Sequence, residues 1–398
     1  MRSIYLNNDD FINNPYPVYC LLRELDEPYW LPHSQLNSTS RGVWLFSRYA
    51  DAVEILKIYG NVSKQLVRVR PPEQISPLDL TMINHDPPEH TRLRNLVKQA
   101  FTPEKIKLLE PAIERIVDQL ITNLEQKQTG DFIEDFALPL PLLVLADLIG
   151  IPYDDHDIYC RWITCLLDGY DSVLSDKEKL DRQKAAMQEI ISYFNELIVV
   201  HRKQPMENLI SSLIEVQDSK NGLTADELLG VCILFLVAGY ETTVNLIGNA
   251  MYTFLYYPEQ FRLLRQHPEL LPSAIEETLR FESPLQRSTF RITTGECILG
   301  GKKISEGEQI CAVIGAANRD PVQFPDPDTF DIRRTPNRHL AFGLGIHNCL
   351  GATLARTEAR VFFGHLIKRS PNIQPGTGTP EWKDATLFRG LRTLPVYY

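Results

Sequence analysis

The chain has 398 residues, 43% apolar and 23% charged, a composition of ordinary globular proteins that excludes a disordered, collagen-like or coiled-coil chain. Its 41 basic and 51 acidic residues give a net charge of −10, so the molecule as a whole repels phosphate backbones and nucleic acid is not an expected partner. Cys20, Cys160, Cys165, Cys232, Cys297, Cys311 and Cys349 form neither a CxxC pair nor a metal-finger spacing, which suits a reducing cytosol.

In chain order, the first thirty residues are polar and proline-broken and lack the layout of a signal peptide or anchor. The apolar run from Val231 to Gly239 covers nine residues, too few for a membrane span, and a cytoplasmic protein without a membrane partner is expected. Gly42 to Phe46 and Gln309 to Ile314 read as strands bounded by turn residues, and helical patterns fill most of the chain between them. Residues 321–336 hold four prolines in sixteen positions, which forbids a regular helix and predicts an ordered, meandering loop. No repeat and no Gly/Ser-rich linker divides the sequence, so residues 1–398 are expected to form one domain, mainly α with a small β-rich portion.

A long helix is predicted to start at the capping box Thr224-Ala225-Asp226-Glu227 and to stop at Tyr257-Pro258. Its middle is nearly all apolar and implies burial on every side, yet it contains Gly239, Glu241, Thr242 and Thr243. A carboxylate there is costly unless it is paired or used. Two readings stand side by side: a satisfied buried Glu at a kink, or an acid–alcohol pair lining a pocket. Further on, Phe342-Gly343-Leu344-Gly345-Ile346-His347-Asn348-Cys349 leads into a helical pattern from Ala352 to Arg360. Glycines at i and i+2 permit a tight turn, and the amides of the following helix are then directed at Cys349, where they favour a thiolate. A buried inert thiol is the plainer reading of any single cysteine, but such a residue needs no loop built around it.

The run Phe342 to Arg356 resembles the haem-binding loop of the cytochromes P450. Ala238-Gly239-Tyr240-Glu241-Thr242 is similar to that family's A-G-x-E/D-T element, and Glu277-Thr278-Leu279-Arg280 to its ExxR, although Glu89 to Arg92 fits ExxR as well. Asn84 to Pro103 resembles the family's early haem-contact helix, and Ala317 to Phe330 its meander.

The resemblance implies the cytochrome P450 fold and haem b held by Cys349 as the iron ligand. It implies propionate contacts from His90, Arg94, His347 and Arg291, with Arg287 as the alternative to Arg291, and haem packing by Phe342, Gly343 and Ala238. His339 is open to a haem-side hydrogen bond or to a structural role. Glu277 and Arg280, with Arg334 or Arg333, would form the family's structural ion network. Glu241 and Thr242 would deliver protons in a monooxygenase reaction that inserts one oxygen atom from O2, and Gly239 would relax the helix beside them; Thr243 is expected to pack. Leu234, Val237, Ala238, Leu285, Leu387 and Phe388 would wall an apolar substrate pocket suited to a polyketide, terpenoid, steroid or fatty acyl compound, with a lean toward polyketide-like secondary metabolites. Residues 64–80 are expected to form a mobile lid, in which Arg68 and Arg70 would meet an anionic group or solvent. Arg92, Lys98, Lys105 and Lys107 are expected to make a basic face for a ferredoxin or flavodoxin-type electron donor, on a monomeric enzyme. The alternatives are a peroxide-using or non-oxygenating member of the fold, and a haem-binding sensor without turnover.

Overall fold

The computed structural model describes residues 4, 6, 8–32, 42–57, 60–65, 75–124, 127–171, 177–369 and 372–398. The largest sheet of its β portion is five-stranded, of β1 (Tyr29–Pro32), β2 (Gly42–Phe46), β3 (Val62–Ser63), β4 (Arg291–Thr293) and β5 (Gln309–Ala312), in the order β1-β2-β5-β4-β3, beside smaller sheets of two and three strands. The two strands expected from sequence lie side by side in parallel, Val43 opposite Gln309 and Phe46 opposite Ala312. The second ends two residues early, because the chain turns into the short helix Ile314–Ala317. Short antiparallel pairs Val62↔Thr293 and Arg291↔Ile310 complete the edge and bring the end of β3 next to β4.

The helical portion surrounds α2, Ala225–Tyr256, with α1 (Glu89–Ala100) earlier in the chain and α3 (Leu271–Phe281) and α4 (Ala352–Arg369) after it. The Thr224 hydroxyl accepts from the Glu227 amide at 3.2 Å and the Glu227 carboxylate accepts from the Thr224 amide at 2.8 Å, so the predicted capping box starts α2. Pro258 opens the next helix and ends this one. By length and composition α2 is able to cross a membrane, which the nine-residue reading did not anticipate, but 72% of its most apolar window is buried inside the protein. Helices Pro103–Leu124, Pro139–Ile149 and His156–Asp171 join it in the main apolar core.

Gly239 does not break α2, which is helical throughout. A Cβ there would stand 2.8 Å from Leu145 Cδ2, so the glycine lets helix Pro139–Ile149 cross close by. Residues 321–336 form an irregular, well-packed loop, as four prolines require, with Phe324 and Phe330 each 1% exposed.

Candidate functional site

The loop before α4 is built on two left-handed glycines, Gly343 at φ 68° and Gly345 at φ 75°, a region costly for other residues. Leu340 is fixed by Asn318 Oδ1, which accepts its amide at 2.7 Å. The Cys349 amide donates to the Phe342 carbonyl at 2.8 Å and closes the turn. Cys349 is exposed by residue area, yet its sulfur lies deep, and burial pushes the thiol above its ordinary value. The amides of Gly351 and Ala352 and the guanidiniums of Arg94 and Arg356 pull it back, as the helix-onset argument requires, but do not outweigh desolvation.

Beside this loop several cationic side chains converge. His90 and Arg94 stand one turn apart on α1, and the Arg94 guanidinium donates to the Asn348 carbonyl at 2.6 Å. The rings of His90 and His347 lie 4.4 Å apart. His90 is 2% exposed, and its ring nitrogens have no well-aligned partner, only the Ile346 carbonyl nearby. Among the described residues Arg291, 3% exposed, meets only long contacts of 3.5 Å to Ser288 Oγ and the Thr289 carbonyl. Burial pushes its guanidinium down to about 10. Lys64, at the end of β3, points into the same group, and burial together with the charges of Lys64, His90, Arg291 and Arg94 drives the His347 imidazole down to about 2. Arg287 stacks instead at 4.9 Å over Phe290 and lines an apolar cavity with Leu22, Leu31 and Val43.

On α2, Leu234, Ala238 and Thr242 follow one another at four-residue intervals on one face. Leu234 is buried, Val237 and Thr242 are half-buried, and Ala238 is exposed although it stands in the middle of a core helix. The Thr242 hydroxyl donates to the Ala238 carbonyl at 2.9 Å, and the Thr243 hydroxyl to that of Gly239 at the same distance; Thr243, 4% exposed, is packed. Glu241 is buried and paired: Lys383 Nζ lies 2.7 Å from its carboxylate, and Asn245 Nδ2 donates to it at 3.1 Å. A bridge between Leu285 and Phe388 joins two predicted pocket segments, with the Gln286 amide donating to the Leu387 carbonyl at 2.8 Å.

The remaining candidates divide clearly. Arg280 grips Glu277 through two bonds of 2.8 Å, both side chains fully buried, and Arg334 reaches Glu277 at 3.0 Å. Arg333 pairs with Asp331 in solvent, so Arg334 is the network's third member. His339 bonds Glu276 at 3.0 Å and is structural. Arg92 is tied to Glu89 and Glu227, and Lys105 to Ser212 at 2.9 Å, while Lys98 and Lys107 of the expected basic face are exposed. Residues 66–74, including Arg68 and Arg70, lie outside the described residues; at the ends of that segment Lys64 and Leu78 are buried. Sequence reasoning missed Lys64 and Lys383, which stand in polar stretches with no local pattern.

A family model described as Cytochrome P450 matches residues 163–386. The chain is 40% identical over 404 residues to cytochrome P450 107B1 of Saccharopolyspora erythraea, covering 98% of this chain and 96% of that one. It is 36% identical over 398 residues to the polyketide biosynthesis cytochrome P450 PksS of Bacillus subtilis, covering 97% and 96%. Among solved structures, the myxobacterial cytochrome P450 CYP267B1 in complex with myristic acid matches with a TM-score of 0.92 and 37% identity over 99% of this chain and 98% of that one. P450BioI in complex with an acyl carrier protein ligated to hexadec-9Z-enoic acid matches with a TM-score of 0.90 and 34% identity over 98% and 100%. The chain belongs to the cytochrome P450 family.

This P450 is therefore a monooxygenase, and its family's prosthetic group is haem. The residues present fit that group. Haem needs an axial ligand, for which the glycine-framed Cys349 is placed, and cations for two carboxylates, for which the buried His90 nitrogens, without a well-aligned partner, and the cationic group around Arg291 are placed.

Proposed function

We propose that this P450 binds haem b through Cys349 and hydroxylates a lipophilic small molecule, with electrons from a ferredoxin or flavodoxin-type donor. The observation that carries the reading is the pairing of a cysteine in a left-handed glycine frame with a set of cations whose nearby carboxylate among the described residues, Asp86, is already bonded to the Ser63 hydroxyl and the Lys64 amide. When bound, the haem supplies the oxygen-activating chemistry. His90, Arg94, Arg291 and His347 hold its carboxylates, and Phe342, Gly343 and Ala238 pack against it. The chain acts as one monomeric domain in the cytoplasm.

Leu234, Val237, Ala238, Leu285, Leu387 and Phe388 form an apolar wall, which suits a polyketide-like or acyl substrate. Names of similar proteins support this lean: one acts in polyketide biosynthesis, another in biotin biosynthesis, and a third is solved with myristic acid. Thr242 Oγ1, now donating to Ala238, turns to donate a proton on the pocket side. Glu241 replenishes it, and Lys383, 25% exposed in its side chain, links Glu241 to solvent.

Carbon monoxide binding to the reduced protein tests the assignment. The red-shifted Soret band of a thiolate ligand is expected from the wild type and not from Cys349→Ser; a normal thiolate spectrum from that variant overturns it. Thr242→Ala should consume reduced cofactor yet release hydrogen peroxide, and Glu241→Gln should slow turnover about 10²- to 10⁴-fold. Wild-type product per reduced cofactor in Thr242→Ala would sink the relay. A library screen for spin-state shifts in the haem spectrum identifies the substrate class.

A further inference from the structure

We propose that Lys64 is a haem-holding residue, its ammonium pairing with a propionate carboxylate alongside Arg291. The inference rests on the haem-binding reading above and adds to it a side chain from an element remote from the haem-binding loop.

The pairing Val62↔Thr293 and Ser63↔Ile292 delivers the chain to Lys64 beside the segment that carries Thr289 and Arg291. Lys64 is 4% exposed, and its ammonium donates to the Thr289 hydroxyl, a neutral group. Its nearest acid among the described residues, Asp86, is already engaged: one carboxylate oxygen accepts the Lys64 amide at 2.9 Å and the other the Ser63 hydroxyl at 2.5 Å. Arg291 is the neighbouring charge, of like sign, and the Lys64 ammonium also acts on His347. Burial and Arg291 together press the ammonium down to about 7.

A lysine buried against a hydroxyl and a second cation is destabilising as it stands. A strut between β3 and residue 289 would need only a neutral donor. What distinguishes a charged one is an anion in front of it, and the two carboxylates of haem are the anions this family brings to that place. Lys64 directly follows β3 and Arg291 opens β4, whereas His90 and Arg94 come from α1, so cations meet the carboxylates from both the sheet side and the helix side.

The test uses holoenzymes of wild type, Lys64→Met, Lys64→Arg and Thr289→Val, and follows haem transfer to excess apomyoglobin. Lys64→Met should lose haem about 10- to 100-fold faster, the loss expected for a charge-assisted bond, while Lys64→Arg stays near wild type and Thr289→Val within about twofold. With haem dimethyl ester, whose carboxylates are blocked, wild type and Lys64→Met should release at the same rate. Unchanged haem loss from Lys64→Met overturns the proposal. So does an equal acceleration with the ester, or a loss from Thr289→Val as fast as from Lys64→Met, since either marks a structural strut. A wild type lacking the thiolate carbon-monoxide spectrum would instead bring down the haem reading itself, and this assignment with it.

Discussion

The molecule holds two contrasting clusters of charge, one around Glu277 and one around Arg291. Around Glu277, cations and acceptors balance: Arg280 gives that carboxylate two bonds, Arg334 and Asn337 one each, and the remaining Arg280 donors reach the carbonyls of Asn318, Pro327 and Thr329 at 2.7 to 3.0 Å. A second balanced set joins Glu282 to Arg389 at 2.6 Å and to the Tyr16 hydroxyl at 2.7 Å. Around Arg291, by contrast, His90, Arg94, His347 and Lys64 gather with no free carboxylate among the described residues. A completed network ties the meander to α3 and serves the fold. An uncompleted one is a binding site, because buried charge persists only where something else neutralises it.

The largest effect should come from breaking the completed network. Arg280→Ala leaves the buried Glu277 with Arg334 as its remaining cation and removes three bonds to meander carbonyls, so it should destabilise by about 3–5 kcal/mol, read as a drop in the denaturant midpoint. A shift below about 1 kcal/mol would erase the contrast between the two clusters.

A buried carboxyl without a cation beside it among the described residues sharpens the comparison. Glu358 on α4 is 1% exposed, its Oε2 lacks a hydrogen bond, and burial pushes its carboxyl up to about 8. The native state therefore keeps a proton that the unfolded chain, with an ordinary carboxylate near 4.5, has released. Stability from this group is complete below that value and is lost as pH rises toward about 8. Glu358→Gln should match wild type at low pH and exceed it at the upper end of this window by at most about 5 kcal/mol in chemical unfolding. A variant that tracks wild type at every pH would mean that Glu358 is ionised and paired in solution.

How much of this was legible in the sequence follows from how local each feature is. Gly343 and Gly345 adopt the left-handed turn their spacing suggested, and Thr224 and Glu227 form the box their spacing suggested, because each depends on residues within a few positions. His90 and Arg94 were legible as one helix face for the same reason. Lys64 was not. Its direction is set by strand pairing with residues more than 220 positions away, and Asn61 to Gln65 otherwise reads as polar surface. Lys383 was hidden likewise, since the bridge of Leu285 to Phe388 brings its segment to α2. Gly239 was read as a relaxed point in the helix because the close passage of Leu145 is a tertiary fact.

The smallest effects should come from the solvent side of the uncompleted cluster. Arg94 is half-buried and already donates to the Asn348 carbonyl, so solvent screens part of its charge and its removal leaves a gap that water reaches. Arg94→Ala should speed haem loss by about 3- to 10-fold, less than a change at a deeply buried cation. His347→Ala should do less still. Its imidazole is driven down to about 2 by burial and by the cations around it, so it offers a hydrogen bond and no charge. The rate of haem transfer to apomyoglobin at two salt concentrations separates the two: added salt should narrow the gap between Arg94→Ala and wild type but leave that of His347→Ala as it is. Equal losses from both variants, with equal salt dependence, would mean that His347 carries charge in the holoenzyme and that the cluster is balanced by the haem more evenly than its exposures suggest.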